Sequence, residues 1–142
     1  MATPNTSPIF SVAGDIQWAT ATNAIVQSAN TTTDLTSGTI YPVFTGGTNG
    51  SYIQRVRFRH LGTNAATVAR IWINNGSATG TAANNTLWDE ITLAAATVSQ
   101  VAAQINYELP LGFALPATYR IYVTLGTAVA AGFKVTVIGG DY

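Results

Sequence analysis

Two runs near the C-terminus limit what this chain can fold into. In YRIYVTL, Tyr119, Ile121 and Val123 alternate with Arg120, Tyr122 and Thr124; in FKVTVI, Phe133, Val135 and Val137 alternate with Lys134, Thr136 and Ile138. A period of two puts one set on the buried face of a β-strand and the other on its outer face. The intervening GTAVAAG is a loop, so the two runs are expected as consecutive antiparallel strands. Similar runs of β-branched and aromatic residues, bounded by Gly, Asn, Pro and Thr clusters, recur along the chain. Candidate strands cover 9–12, 16–19, 39–44, 52–61, 67–74, 86–93, 104–109, 119–125 and 133–138. Gly46-Gly47, Asn49-Gly50 and Asn75-Gly76 are turn signals, because Gly and Asn reach positive φ at little cost. Helical spacing occurs only in AAATVSQVAAQI, at Val98, Val101, Ala102 and Ile105. Ala-rich and uncapped, that stretch reads as a loop or strand rather than a helix. The expected architecture is all-β: a single-domain antiparallel β-sandwich, jelly-roll-like, of about eight strands.

A length of 142 residues fits one domain. Residues 1–35 are low in charge, rich in Thr and Asn and only weakly patterned. They are expected to form an N-terminal arm or extended wrapping segment that orders on a neighbouring subunit, leaving 36–142 as the sandwich domain. With no cysteine, disulfides and thiolate metal sites are excluded. No segment approaches the roughly 18 apolar residues of a membrane span, and MATPNTSPIF lacks a basic region followed by an apolar run. A soluble protein made without a signal peptide is expected, with no membrane partner.

Six acidic and six basic residues cancel, and charged residues make up 8% of the chain, against about 25% in an average globular protein. Nucleic-acid binding driven by bulk charge is therefore disfavoured. The polarity comes from Thr, Ser, Asn and Gly. Such a neutral surface resists aggregation poorly in a free monomer and suits a chain covered by other protein.

Three of the six basic residues nevertheless sit in one stretch, RVRFRH, where Arg55, Arg57 and Arg59 share one strand face and Val56, Phe58 and His60 the other. Like charges roughly 7 Å apart repel by about 0.6 kcal/mol in water, so the ladder calls for compensation. The chain's own Glu90, Glu108 or Asp89 could supply it from a neighbouring strand. So could a partner's carboxylates or carbonyls, gripped by the guanidinium forks. If Ile71 and Ile73 face the core, Arg70 and Trp72 face outward, and an exposed Trp beside an Arg is a common interface anchor. Arg55, Arg57, Arg59, Arg70 and Trp72 are thus the candidate protein-interface residues. They share a face if their strands form a hairpin and are separated if a jelly roll places them in opposite sheets. Strict alternation would likewise put Leu87, Asp89 and Ile91 on one side and Trp88, Glu90 and Thr92 on the other. Trp18, Trp72 and Trp88 leave open a stacking platform for carbohydrate.

Chemistry finds little else to build on. His60, the only histidine, is expected to be a hydrogen-bonded core or rim residue, since a zinc site or triad would lack its other members. Adjacent Asp89 and Glu90 point to opposite faces and make no facing carboxylate pair. GGTNG and GGDY lack the Lys and Ser/Thr of a phosphate loop. No catalytic, cofactor or metal residue is assigned, and no enzyme is expected.

The C-terminal run LWDEITLAAATVSQVAAQINYELPLGFALPATYRIYVTLGTAVAAGFKVTVIGGDY, Leu87 to Tyr142, resembles the jelly-roll decoration, or cement, proteins of tailed-bacteriophage capsids. Its carriers are the LP-x-x-Y-R turn at Leu115 to Arg120, the small-residue loop after it and the terminal GGDY. The resemblance implies a non-catalytic structural virion protein without cofactors. It would be made in the host cytoplasm, form a homo-oligomer (dimer or trimer), and bind the capsid exterior across joints of the major capsid protein to stabilise the shell. The alternatives are another phage component (tail, collar or fibre), which would sit elsewhere on the particle, and a carbohydrate-binding β-sandwich module, which would need an aromatic groove.

Overall fold

The computed structural model describes residues 11–20 and 24–142. Strands β1 (Ala13–Trp18), β2 (Tyr41–Thr45), β3 (Ser51–His60), β4 (Thr67–Asn74), β5 (Asn85–Leu93), β6 (Tyr107–Leu115), β7 (Arg120–Leu125) and β8 (Phe133–Asp141) form two four-stranded antiparallel sheets. Their orders are β1-β8-β3-β6 and β2-β7-β4-β5, the arrangement of a jelly-roll β-sandwich. Only β4 and β5 are both consecutive and paired; every other connection crosses from one sheet to the other. The runs 119–125 and 133–138 are therefore strands as expected, but they lie in different sheets and do not pair with each other.

The alternation builds the core. Val56 and Phe58 of β3 and Val135 and Val137 of β8 face Ile121 and Val123 of β7 and Ala69 and Ile71 of β4, all fully buried. Each of the Val, Ile and Phe side chains contributes about 1.5–3 kcal/mol by leaving water. The stretch 67–74 is a strand with the bounds expected. The stretch 104–109 is not: β6 starts at Tyr107 and continues through Pro110 and Gly112 to Leu115. Pro110 is tolerated because β6 is an edge strand. The segment 94–106 is an irregular connection, not a helix.

Within the segment expected over 1–35 as an arm or extended wrapping segment, the described residues include a strand and two bridges of the sandwich itself. β1 pairs with β8 from Ala13↔Asp141 to Trp18↔Thr136, Val26 bridges to Phe133, and Ala29 bridges to Leu125. Ala19, Val26 and Leu35 are buried. The sandwich thus includes residues on both sides of position 35. The expected strand at 9–12 falls partly outside the described residues, and Ser11 and Val12 are not in a strand. The first 10 residues and 21–23 also lie outside the described residues.

Residues 28–40 cross the outer face of the second sheet as a wrapping segment. Asn30, buried, pins it: Nδ2 donates to the carbonyls of Ser37 (2.9 Å) and Thr39 (3.0 Å), and Oδ1 accepts from the Thr32 amide (3.0 Å). The segment seats Leu35 on Trp72 and Tyr122 in a second small core.

Candidate protein interface

β3 places its arginines by pleat alone. With Val56, Phe58 and His60 buried, Arg55, Arg57 and Arg59 stand half-exposed on the outer face of the β1-β8-β3-β6 sheet. Glu108 of β6 lies directly across from Arg57. The Arg57 Nε donates to its Oε1 at 2.6 Å, Nη2 adds a second contact to the same oxygen, and the Arg55 Nε is 3.7 Å from Oε2. The hydrogen bond from Arg57, backed by the charges of Arg55 and Arg57, holds the Glu108 carboxyl below its ordinary 4.5, against a smaller upward push from burial. One carboxylate therefore serves two arginines. Among the described residues Arg59 has the Asn106 carboxamide alone, at 3.1 Å, and its cross-strand neighbour on β8 is Lys134. Two cations opposite each other on a sheet face repel. Lys134 reaches the Ala24 carbonyl at 3.1 Å.

The sheet order separates the other two candidates from this ladder. β4 belongs to the second sheet, where Arg70 pairs with Glu90 (Nε–Oε1 2.7 Å) and approaches the Asn30 carbonyl (3.4 Å). Trp72 does point to the outer face, but the wrapping segment covers it. It is 2% exposed and its Nε1 donates to Thr124 Oγ1 at 3.0 Å, so in this chain it is a buried anchor of its own fold and not an exposed one. The cover comes from Leu35, too distant in sequence for local alternation to reveal.

The tryptophans do not form one platform. Trp18 is on β1 at one edge of the sandwich, Trp72 is buried, and Trp88 is on β5 at the opposite edge, in tilted contact with Phe113 of β6 (centroids 4.8 Å, 58° between planes). Strict alternation fails in β5 because of a bulge between Ile71 and Trp72 in the β4–β5 register. The bulge pairs Leu87 with Trp72, pairs Asp89 with Ile71, and frees Trp88 to reach across to β6.

Two glutamine side chains act as surrogate strand partners. Gln17 of β1 bonds both backbone groups of Thr45 on β2 (2.9 and 3.0 Å). Gln104 does the same for His60 (2.9 and 3.1 Å). His60 itself is buried between Phe133 and Tyr107, ring to ring at 4.6 and 5.8 Å. Asn64 accepts the Ala131 and Gly132 amides on Oδ1 and donates from Nδ2 to the Gly132 carbonyl. That fixes its amide orientation, so its contact with His60 Nδ1 at 3.2 Å is Nδ2 donating. The ring proton then sits on Nε2, which has no partner among the described residues. Burial pushes the imidazole below its ordinary 6.5.

Among the described residues no three His, Cys, Asp or Glu side chains come together as a metal site, and no helix is long and apolar enough to cross a membrane. No family model, curated protein or solved structure matches the chain.

Proposed function

We propose that the chain is a structural virion protein, a capsid decoration protein that binds the outer surface of a phage shell across joints of the major capsid protein as a homo-oligomer. The observation that carries the reading is the outer face of β3, where two of the three arginines share one carboxylate and Arg59, among the described residues, meets a carboxamide and a second cation. A rigid sheet holding under-neutralised guanidinium forks suits a protein surface that offers carboxylates and carbonyl edges. The resemblance of Leu87–Tyr142 to the decoration proteins supplies the identity of that surface.

The test measures fold stability and particle binding on the same variants. Arg57→Ala breaks the bond to Glu108 and is expected to lower the melting temperature by about 2 °C. Arg59→Ala leaves the melting temperature unchanged and weakens binding to shells stripped of this protein by about tenfold, with a shallower salt dependence. Stripped shells should also release DNA at a lower temperature than decorated ones. Purified protein that ignores the shell and is found on the tail would overturn the reading.

A further inference from the structure

The connection from β5 to β6, residues 94–106, is tied to the fold through one short stretch of chain. Asn64 and Ala96 exchange both backbone bonds (2.9 and 3.1 Å), and the hydroxyls of Thr63 and Thr97 meet at 3.2 Å. At the other end Gln104 clasps both backbone groups of His60, and Asn106 takes the Arg59 guanidinium. The Ala94 amide donates to the Tyr107 hydroxyl at 3.2 Å. Between these tethers little is buried: Val101 is 97% exposed and Ile105 67%. Among the described residues the only hydrogen bond within 98–103 runs from the Val101 amide to the Ser99 hydroxyl. A segment with so few packed contacts stays closed only as long as its tethers hold.

The two main tethers belong to residues whose side chains are joined. Asn64 donates from Nδ2 to His60 Nδ1, and the Ala131 and Gly132 amides on its Oδ1 fix that orientation. The His60 Nε2 is buried without a partner among the described residues. A second proton on this ring therefore finds no acceptor: at Nδ1 it meets an N–H donor, and Nε2 is shut off from water. No charge nearby offsets it. Arg59 on β3, Lys134 on β8 and Glu108 on β6 stand on the outer face of their sheet, away from the ring. The connections 61–66, 94–106 and 126–132 contain no charged residue, nor do residues 24–33, which bridge to β8 through Val26. The Tyr107 phenol, in contact with the ring, stays neutral in acid.

We propose that protonation of His60 releases the 94–106 connection from Asn64 and from the end of β3 while both sheets persist. The charged ring must part from Asn64 to reach water. Its movement displaces the Asn64 backbone that holds Ala96 and the His60 backbone that holds Gln104, so the two ends of the connection open together. No β3–β6 or β4–β5 pair has to break, because the tethers lie beyond the last of them, Phe58↔Tyr107 and Thr67↔Leu93. The device is closed at neutral pH and opens in acid. Opening frees an uncharged segment whose helical spacing, at Val98, Val101, Ala102 and Ile105, the closed form does not use. The inference requires only this chain and does not rest on the virion reading.

Native-state hydrogen exchange of the full chain, normalised to the unfolded rate at each pH, tests it through the amides of Asn64 and Ala96. Their opening equilibrium should depend little on urea. It should rise by about tenfold for each pH unit below about 6.5, where a freed imidazole takes a proton that the buried one refuses. The amides of Ile71 and Val123 should exchange more slowly, through global unfolding and with the full urea slope. His60→Gln, which accepts the Asn64 bond but takes no charge, should keep the Asn64 and Ala96 opening level over the same range. A second reading needs no variant: the imidazole resonances of the chain's one histidine should titrate together with the loss of protection at Asn64 and Ala96. Any of four results would overturn the inference: exchange of these two amides with the full urea slope at every pH, an opening that ignores pH, a pH response that survives in His60→Gln, or a ring that titrates while both amides stay protected.

Discussion

His60 shows how one side chain can set an acid limit without taking part in chemistry. Its Nδ1 receives the Asn64 amide proton, and Asn64 cannot turn to accept instead, because its Oδ1 holds the Ala131 and Gly132 amides. Protonating Nδ1 would set two donors against each other in a buried site. The folded pKa is lowered by burial, so the unfolded chain binds the proton more readily, and stability must rise with pH between the two values. The contribution is fully present above about 6.5, the unfolded imidazole value, and is lost as pH falls through the folded one. Urea midpoints should therefore be level above neutrality and decline below about pH 6.5. His60→Gln, which keeps an acceptor but cannot charge, should remove that first decline. The further loss below about pH 4.5, where Glu108 and Asp34 leave their lowered ranges, should remain. A decline unchanged in His60→Gln would place the titrating group elsewhere.

At the scale of elements, the end of β8 has a structural job that its sequence alone presents as a terminal motif. Gly139 and Gly140 let β8 run between β1 and β3: a Cβ on Gly139 would lie 2.4 Å from the Tyr52 carbonyl oxygen, and one on Gly140 would lie 2.5 Å from the Ser11 side chain. Asp141 accepts the Ser51 hydroxyl, and the Tyr142 amide donates to the Gly50 carbonyl at 3.2 Å. Gly139→Ala must push β3 and β8 apart and should cost about 1–3 kcal/mol, the usual range for overpacking, read as a fall in the urea midpoint with the m-value unchanged. Strands were legible in the sequence where the residue types have a period of two: 133–138 alternates cleanly because one face meets the core and the other does not, and 67–74 kept its bounds although Trp72 on its outer face is also buried. What was not legible depended on partners far along the chain. The strand expected over 104–109 stopped short of Pro110 because nothing local marks an edge strand, and the bulge that turns Trp88 toward Phe113 exists only in the β4–β5 register. The ladder's compensation was bracketed to three carboxylates, and only the β3–β6 register selected Glu108. Trp72 was read as exposed for the same reason, its cover arriving from Leu35.

Taken whole, the molecule closes by pairing its first described strand with its last, which makes Ala13–Trp18 a structural strand of the sandwich. β1 covers one edge of β8 along six residue pairs, supplies Ala19 to the core, and ties the two sheets together through the Gln17 carboxamide on Thr45. Removing residues 1–19 would uncover the edge of β8 and open the β1/β2 side of the sandwich to water. A domain of this size has only about 5–15 kcal/mol of net stability to lose. The truncated chain should therefore melt about 10 °C or more below the full chain, or fail to fold, with the loss shared by both sheets. A chain that lacks Trp18 keeps Trp72 and Trp88, both in the second sheet, so its tryptophan fluorescence reports on that sheet and should shift at the same denaturant concentration as the far-UV signal. An arm that orders only on a neighbour predicts the opposite, an unchanged melting temperature with weaker association alone. Because β1 can pair only after β8 exists, refolding of the intact chain should also be slow, on the order of milliseconds to seconds as for other sheets dominated by distant contacts. Truncation at residue 19 removes the most distant pairing, so any folding that survives should not be slowed in proportion to the stability lost. Unfolding should instead become faster, as expected when the deleted strand docks after the rate-limiting step.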